Sequence, residues 1–199
     1  MEAKLTPANG ILIGINSLVM IVCAVFGAEF ENLIYSLGVM DWRLIINEGE
    51  FYRLFTSMFL HFGFEHYLQN MVFLFFVGCF LETAMGSVRY ILFYILAGVG
   101  AGACSLAYDS MLSANVVSAG ASGAIFGVVG GLLWVIIRNK GNYKGIGLPG
   151  MLLMIAGSLY YGFTSSGVDN AAHVGGFVCG FFLAMIFYRK KKVSDDKKA

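Results

Sequence analysis

Four side chains in this sequence have the types and spacing to hydrolyse an acyl bond. Ser122 stands in Gly120-Ala121-Ser122-Gly123, and His173 in Ala172-His173-Val174-Gly175-Gly176. A serine hydroxyl is a weak nucleophile until a neighbouring base takes its proton, and histidine is the commonest such base. His66 and Asn70 are four residues apart, so on a helix they share one face. Both carry N–H groups that can donate to a developing oxyanion. A helix beginning near Ser122 would add free backbone N–H groups and a partial positive charge at the same place. Phe126 lies one turn after Ser122, where it either stacks on the His173 ring or packs in the core. Asp169, four residues before His173, falls nearer the outer surface, so a Ser-His dyad is the simpler reading than a triad.

These residues sit in a chain unlike a soluble domain. Of its 199 residues 58% are hydrophobic and 13% charged, against about 45–50% and 25% for soluble globular domains. A membrane helix needs about 20 mostly apolar residues. Six segments qualify, at 11–30, 58–81, 90–108, 116–137, 147–163 and 171–188. The run Ile11 to Ala28 reads as a retained first span rather than a cleaved leader. Residues 31–57 mix Glu31, Asp41, Trp42, Arg43, Glu48, Glu50 and Arg53 with apolar residues, which suits a structured loop at the membrane surface. The expectation is an all-α, six-helix membrane bundle, a single domain over 1–199 with short tails at 1–10 and 189–199.

An even number of spans leaves both termini on one side. Eleven of the 13 lysines and arginines then fall on the side of the termini, from Lys4 through Arg89, Arg138, Lys140 and Lys144 to the run Arg189 to Lys198, with Arg43 and Arg53 opposite. Basic residues mark the cytoplasmic side, so a cell-membrane protein with cytoplasmic termini is expected. A net charge of +1 suggests no nucleic-acid partner. Cys23, Cys79, Cys104 and Cys179 lie in apolar runs without metal-ligand spacing, and read as small buried apolar residues. Neither a metal site nor a disulfide framework is indicated.

The candidate residues share a depth. Ser122 precedes Arg138 by 16 residues, His173 precedes Arg189 by 16, and His66 precedes Glu82 by 16. Sixteen helical residues rise roughly 24 Å, against a hydrocarbon core of about 30 Å. Three separate spans therefore bring polar groups to one layer just below the outer boundary. Polar residues within spans mark functional sites.

At these residues the sequence resembles the rhomboid family of intramembrane serine proteases. The family's Gly-x-Ser-Gly motif is matched by Gly120 to Gly123. Its Ala-His-x-x-Gly-x-x-x-Gly motif is matched by Ala172, His173, Gly176 and Gly180, and its His-x-x-x-Asn by His66 and Asn70. Tyr52-Arg53 matches an aromatic-arginine pair in the first outer loop that is usually Trp-Arg, and Glu82 and Gly86 match an acid and a glycine at the end of the second span. The likeness covers residues 45 to 188. It implies Ser122 as nucleophile, His173 as base, and His66, Asn70 and the Ser122 backbone as oxyanion donors. Gly120, Gly123, Phe126, Gly176, Gly180, Asn170 and Arg53 would support them. It further implies no cofactor, and transmembrane proteins in the lipid bilayer as substrates, cut within or near their spans. A non-catalytic rhomboid-like factor that binds membrane proteins is the alternative, but such relatives typically lack the serine or the histidine. A transporter is opposed by the lack of an internal repeat or a midplane acid.

Overall fold

The computed structural model describes residues 4–190. In chain order these form α1 (Pro7–Phe26), α2 (Ala28–Gly38), α3 (Trp42–Glu48), α4 (Arg53–Thr56), a 3-10 turn at Ser57–Phe59, α5 (Phe64–Met85), α6 (Ser87–Leu112) and α7 (Ser122–Arg138). A hairpin of β1 (Asn142–Tyr143) and β2 (Ile146–Gly147), α8 (Leu148–Thr164) and α9 (Asn170–Phe187) complete the order. Among the described residues α1, α5, α6 and α9 are long and apolar enough to cross a membrane. The equally apolar α7 and α8 have 17 residues each, the lower end of the spanning range of about 17–25. The architecture is an all-α membrane bundle.

Several element boundaries differ from the sequence expectation. The first span begins at Pro7, whose missing N–H costs nothing in the first turn, so residues 7–10 are helix rather than tail. It ends at Gly27, where φ is +80°. The second helix starts only after Gly63, and Met58 to Gly63 form a 3-10 turn and loop. The fourth starts at Ser122, and residues 114–121 are irregular chain. Irregular backbone at membrane depth needs its polar groups satisfied by protein. Here Met40 and Ser118 exchange both backbone bonds, at 2.8 and 2.9 Å, and Gly120 N–H donates to the Ser57 carbonyl at 2.9 Å. The basic residues after Lys190 lie outside the described residues.

α7 is the central helix, with 13 of its 17 residues buried. A helix apolar all round belongs in the interior. It runs alongside α9, and glycines set their spacing. A Cβ on Gly176 would strike the Gly123 carbonyl oxygen, one on Gly180 the Gly127 carbonyl, and one on Gly130 the Phe177 carbonyl. Small residues at such a seam let two backbones touch, which in lipid replaces the hydrophobic drive for helix association.

Buried polar ties hold the other helices. Glu82, 3% exposed, accepts from Thr6 Oγ1 (2.5 Å), Ala8 N (3.0 Å), Asn9 N (2.8 Å) and Ser87 Oγ (2.6 Å). It thereby caps the start of α1 with the negative charge that a helix N-terminus favours and joins it to α6. In the outer loop Arg53, also 3% exposed, donates to the Ser36 and Val39 carbonyls and pairs with Glu50. Tyr52 presents its ring to that guanidinium at 5.5 Å and donates its hydroxyl to Glu50 at 3.1 Å. Arg53 therefore braces the loop, and its guanidinium bonds go to loop groups rather than to the serine or histidine. α8 is the most loosely held spanning helix, burying only Met151, Ile155 and Gly162.

Candidate active site

Ser122 is the first residue of α7 and is half-buried. The first N–H groups of a helix have no intrahelical partner, so the backbone of Ser122, Gly123 and Ala124 directs free donors into the space around the hydroxyl. The approach to this turn is fixed by Gly120, whose φ of +137° is open to glycine and strained for other residues. A Cβ there would also stand 3.0 Å from His66 Nε2 and 3.7 Å from Ser122 Oγ. The bare glycine thus leaves room in which the His66 ring and the Ser122 hydroxyl face one another.

His173, 9% exposed, lies in the first turn of α9. Its ring stacks on Phe126, with centroids 4.2 Å apart and planes 15° from parallel. Such pairs contribute about 0.5–1.5 kcal/mol beyond their burial, and this one holds the imidazole beside the face of α7 that begins with Ser122. The Gly123–Gly176 and Gly127–Gly180 contacts set the register that aligns the two first turns. No hydrogen bond joins Ser122 to His173 among the described residues.

Asn70 is buried and donates one amide hydrogen to the His66 carbonyl at 3.0 Å. That bond lies within α5, not between helices, and it leaves the second amide hydrogen free. Asp169 caps α9 by accepting from Ala172 N at 2.8 Å, and its other oxygen accepts from Ser105 Oγ at 2.6 Å. Both carboxylate oxygens are thereby engaged by groups other than the histidine ring. Asn170 donates to the Gly162 carbonyl at 3.0 Å, tying α9 to α8.

A cavity of about 40 Å³ opens beside the serine, lined in part by Ser57, Ser118, Gly120, Ser122 and Ala172. A water requires about 10–15 Å³ by this measure, so the cavity has room for water. Among the described residues no three of His, Cys, Asp and Glu stand together as a metal site. Cys23 and Cys79 are buried, but Cys104 is exposed on the apolar surface of α6, contrary to the buried reading of all four.

His61 escaped the sequence reading as a site residue. It is 3% exposed, and its Nε2 accepts the Ala121 N–H at 3.4 Å. Its ring meets His66 edge-on at 5.3 Å and Tyr67 at 5.7 Å. It therefore links the residue before the serine to the start of α5. Its one signal was an ionisable group within an apparent span. Trp42 and Arg43 likewise hold the approach to α7, donating to the Ala114 carbonyl at 2.7 Å and to Asn115 Oδ1 at 2.6 Å. The Arg43 guanidinium bonded to Asp41 lowers that carboxyl's pKa below its ordinary value.

A multi-pass membrane bundle with a half-buried serine at a helix start is the class these features define. A family model described as a rhomboid domain matches residues 48–190, and the chain belongs to the rhomboid family. RHOMBOID-like protein 5 of Arabidopsis thaliana is 40% identical over 152 residues, covering 75% of this chain and 48% of the relative. RHOMBOID-like protein 2 of the same plant is 38% identical over 163 residues, 81% of this chain and 50% of the relative. Rhomboid protease GluP of Bacillus subtilis (strain 168) is 37% identical over 158 residues, 79% of this chain and 30% of the relative. The chain thus spans half or less of the length of these relatives.

Proposed function

We propose that this chain is an intramembrane serine endopeptidase that cuts transmembrane proteins within or near their spans. The observation that carries this reading is the pairing of first turns. A serine at the start of α7 and a buried histidine at the start of α9, stacked on Phe126, are held together by a seam of backbone contacts. The similarity to a protein named as a protease supports it.

In the proposed cycle His173 Nε2 takes the Ser122 proton as Oγ attacks the scissile carbonyl. The oxyanion receives the free N–H groups at the start of α7, the His66 ring N–H and the second Asn70 amide hydrogen. The imidazolium then returns its proton to the leaving amine, and an acyl-enzyme remains. A water from the adjoining cavity, deprotonated by the same nitrogen, hydrolyses that ester and restores the serine. The substrate must unwind locally, because a helical carbonyl is engaged in its own ladder. The charge bias supports a cell-membrane location with both termini cytoplasmic and the site near the outer boundary, and the bundle acts as one domain.

Comparing membrane proteomes of cells carrying the wild-type chain or Ser122→Ala tests this. Membrane proteins cut at or near a span only with the wild type are the expected result. Identical proteomes, together with no cleavage of any single-span protein by the purified chain, would favour the non-catalytic, substrate-binding alternative.

A further inference from the structure

Two buried polar atoms beside the proposed dyad lack any partner among the described residues, Asn170 Oδ1 and His173 Nδ1. A buried polar group left unpaired is destabilising, so two at one place call for an explanation. Both converge on Gly162 of α8. A Cβ at that glycine would stand 2.5 Å from Asn170 Oδ1 and 3.6 Å from His173 Nδ1. The two residues are three apart at the start of α9, hence neighbours on one face. The amide's orientation is set independently. Its Nδ2 donates to the Gly162 carbonyl, and a carbonyl accepts only from the nitrogen end. The oxygen end is therefore the one left to the histidine, and an acceptor answers an Nδ1–H donor.

We infer that Asn170 is a positioning residue whose side-chain oxygen accepts the Nδ1–H of His173, holding the imidazole in the tautomer with Nε2 free as base. The inference rests on the proposed hydrolase reading for its catalytic consequence, but the inferred pairing itself does not. Asn170 moves no proton. It anchors the ring through the step in which Nε2 gains the serine proton, when the Nδ1–H becomes a stronger donor. Gly162 contributes its carbonyl and its missing side chain, so α8, otherwise loosely packed, has one fixed point against the base.

The test uses the full-length chain in lipid nanodiscs with ¹⁵N-labelled histidine, and the reactivity of Ser122 toward a fluorophosphonate. The wild type should show His173, identified by the His173→Gln variant, in the Nδ1–H tautomer. Asn170→Ala should lose that preference and react about 10–100-fold more slowly, the range for removing a partner that orients a histidine. Asn170→Asp should restore both readouts, since its carboxylate accepts the same N–H. A merely structural tie from α9 to α8 predicts that Asp is as damaging as Ala, because neither donates to the Gly162 carbonyl. An Nε2–H tautomer in the wild type, or Asp behaving like Ala, would overturn the inference. If wild type and Ser122→Ala prove equally unreactive, the hydrolase reading fails, and the tautomer spectra alone still decide the Asn170 contact.

Discussion

Gly180→Ala tests whether the seam between α7 and α9 sets the site's geometry. Gly180 lies seven residues beyond His173, about 10 Å along the helix, so the substitution touches no reacting group. Its new methyl would fall within the Gly127 backbone, at the carbonyl oxygen, carbonyl carbon and Cα together. Nothing there is the flexible end of a side chain, so the helices must part. Restoring ordinary van der Waals separation requires about 1 Å or more. Overpacking of this kind costs about 1–3 kcal/mol, and the better helix propensity of alanine returns at most about 1 kcal/mol. A net loss of roughly 1–2 kcal/mol leaves a folded bundle, whereas a 1 Å displacement of a catalytic pair can lower turnover about 10²-fold. Activity should therefore fall far more than stability. The assay is cleavage of a reconstituted single-span substrate, with thermal unfolding followed on the same preparation. Gly14→Ala in α1, where a Cβ meets nothing within 4 Å, is the control; it should leave turnover unchanged and raise stability by at most about 1 kcal/mol through helix propensity. Turnover of Gly180→Ala within threefold of wild type would refute the claim that this seam positions the dyad.

Asn70→Ala should lower the maximal rate about 10²–10³-fold with apparent affinity unchanged, as for loss of one oxyanion donor. Its one hydrogen bond lies within its own helix, so an unchanged unfolding temperature should accompany the loss, and the reverse pattern would assign it a structural role. His61→Ala leaves the buried Ala121 N–H without its acceptor and should cost about 1–3 kcal/mol in unfolding measurements, with slower turnover; a neutral result would show that the serine's approach is held by Met40 and Ser57 alone. Asp41, whose carboxyl titrates below its ordinary range beside Arg43, stabilises the fold above that range and ceases to as pH falls through its lowered value. The unfolding temperature of wild type should thus drop more steeply below about pH 4 than that of Asp41→Asn, and parallel curves would contradict the assignment.

The apolar runs revealed the spanning helices because only membrane helices need so many consecutive apolar residues. Helix starts were less legible. Val116 to Ala121 reads as the opening of a span, since composition records how apolar a segment is but not where its backbone bonds go. Those bonds go to Met40, Ser57 and His61, 60 or more residues away in sequence. The shared depth of Ser122, His173 and His66 was countable because each is followed by an uninterrupted helix to a charged end. The role of Gly162 was hidden, because it depends on α8 meeting α9 across a loop whose geometry no spacing encodes. Arg53 carried a motif, but the motif could not tell that its guanidinium is spent on loop carbonyls.

The most direct measurement of the central claim is the site and rate of covalent modification by a fluorophosphonate in the bilayer-embedded chain. Peptide mass spectrometry of the wild type should find one adduct, on Ser122. Ser122→Ala should carry none, and His173→Ala should react at least about 10³-fold more slowly, with the double variant no worse than either, because nucleophile and base act as one unit. A folded wild-type chain that stays unmodified, or a His173→Ala chain that reacts as fast as wild type, would contradict the assignment of Ser122 as nucleophile and His173 as its base.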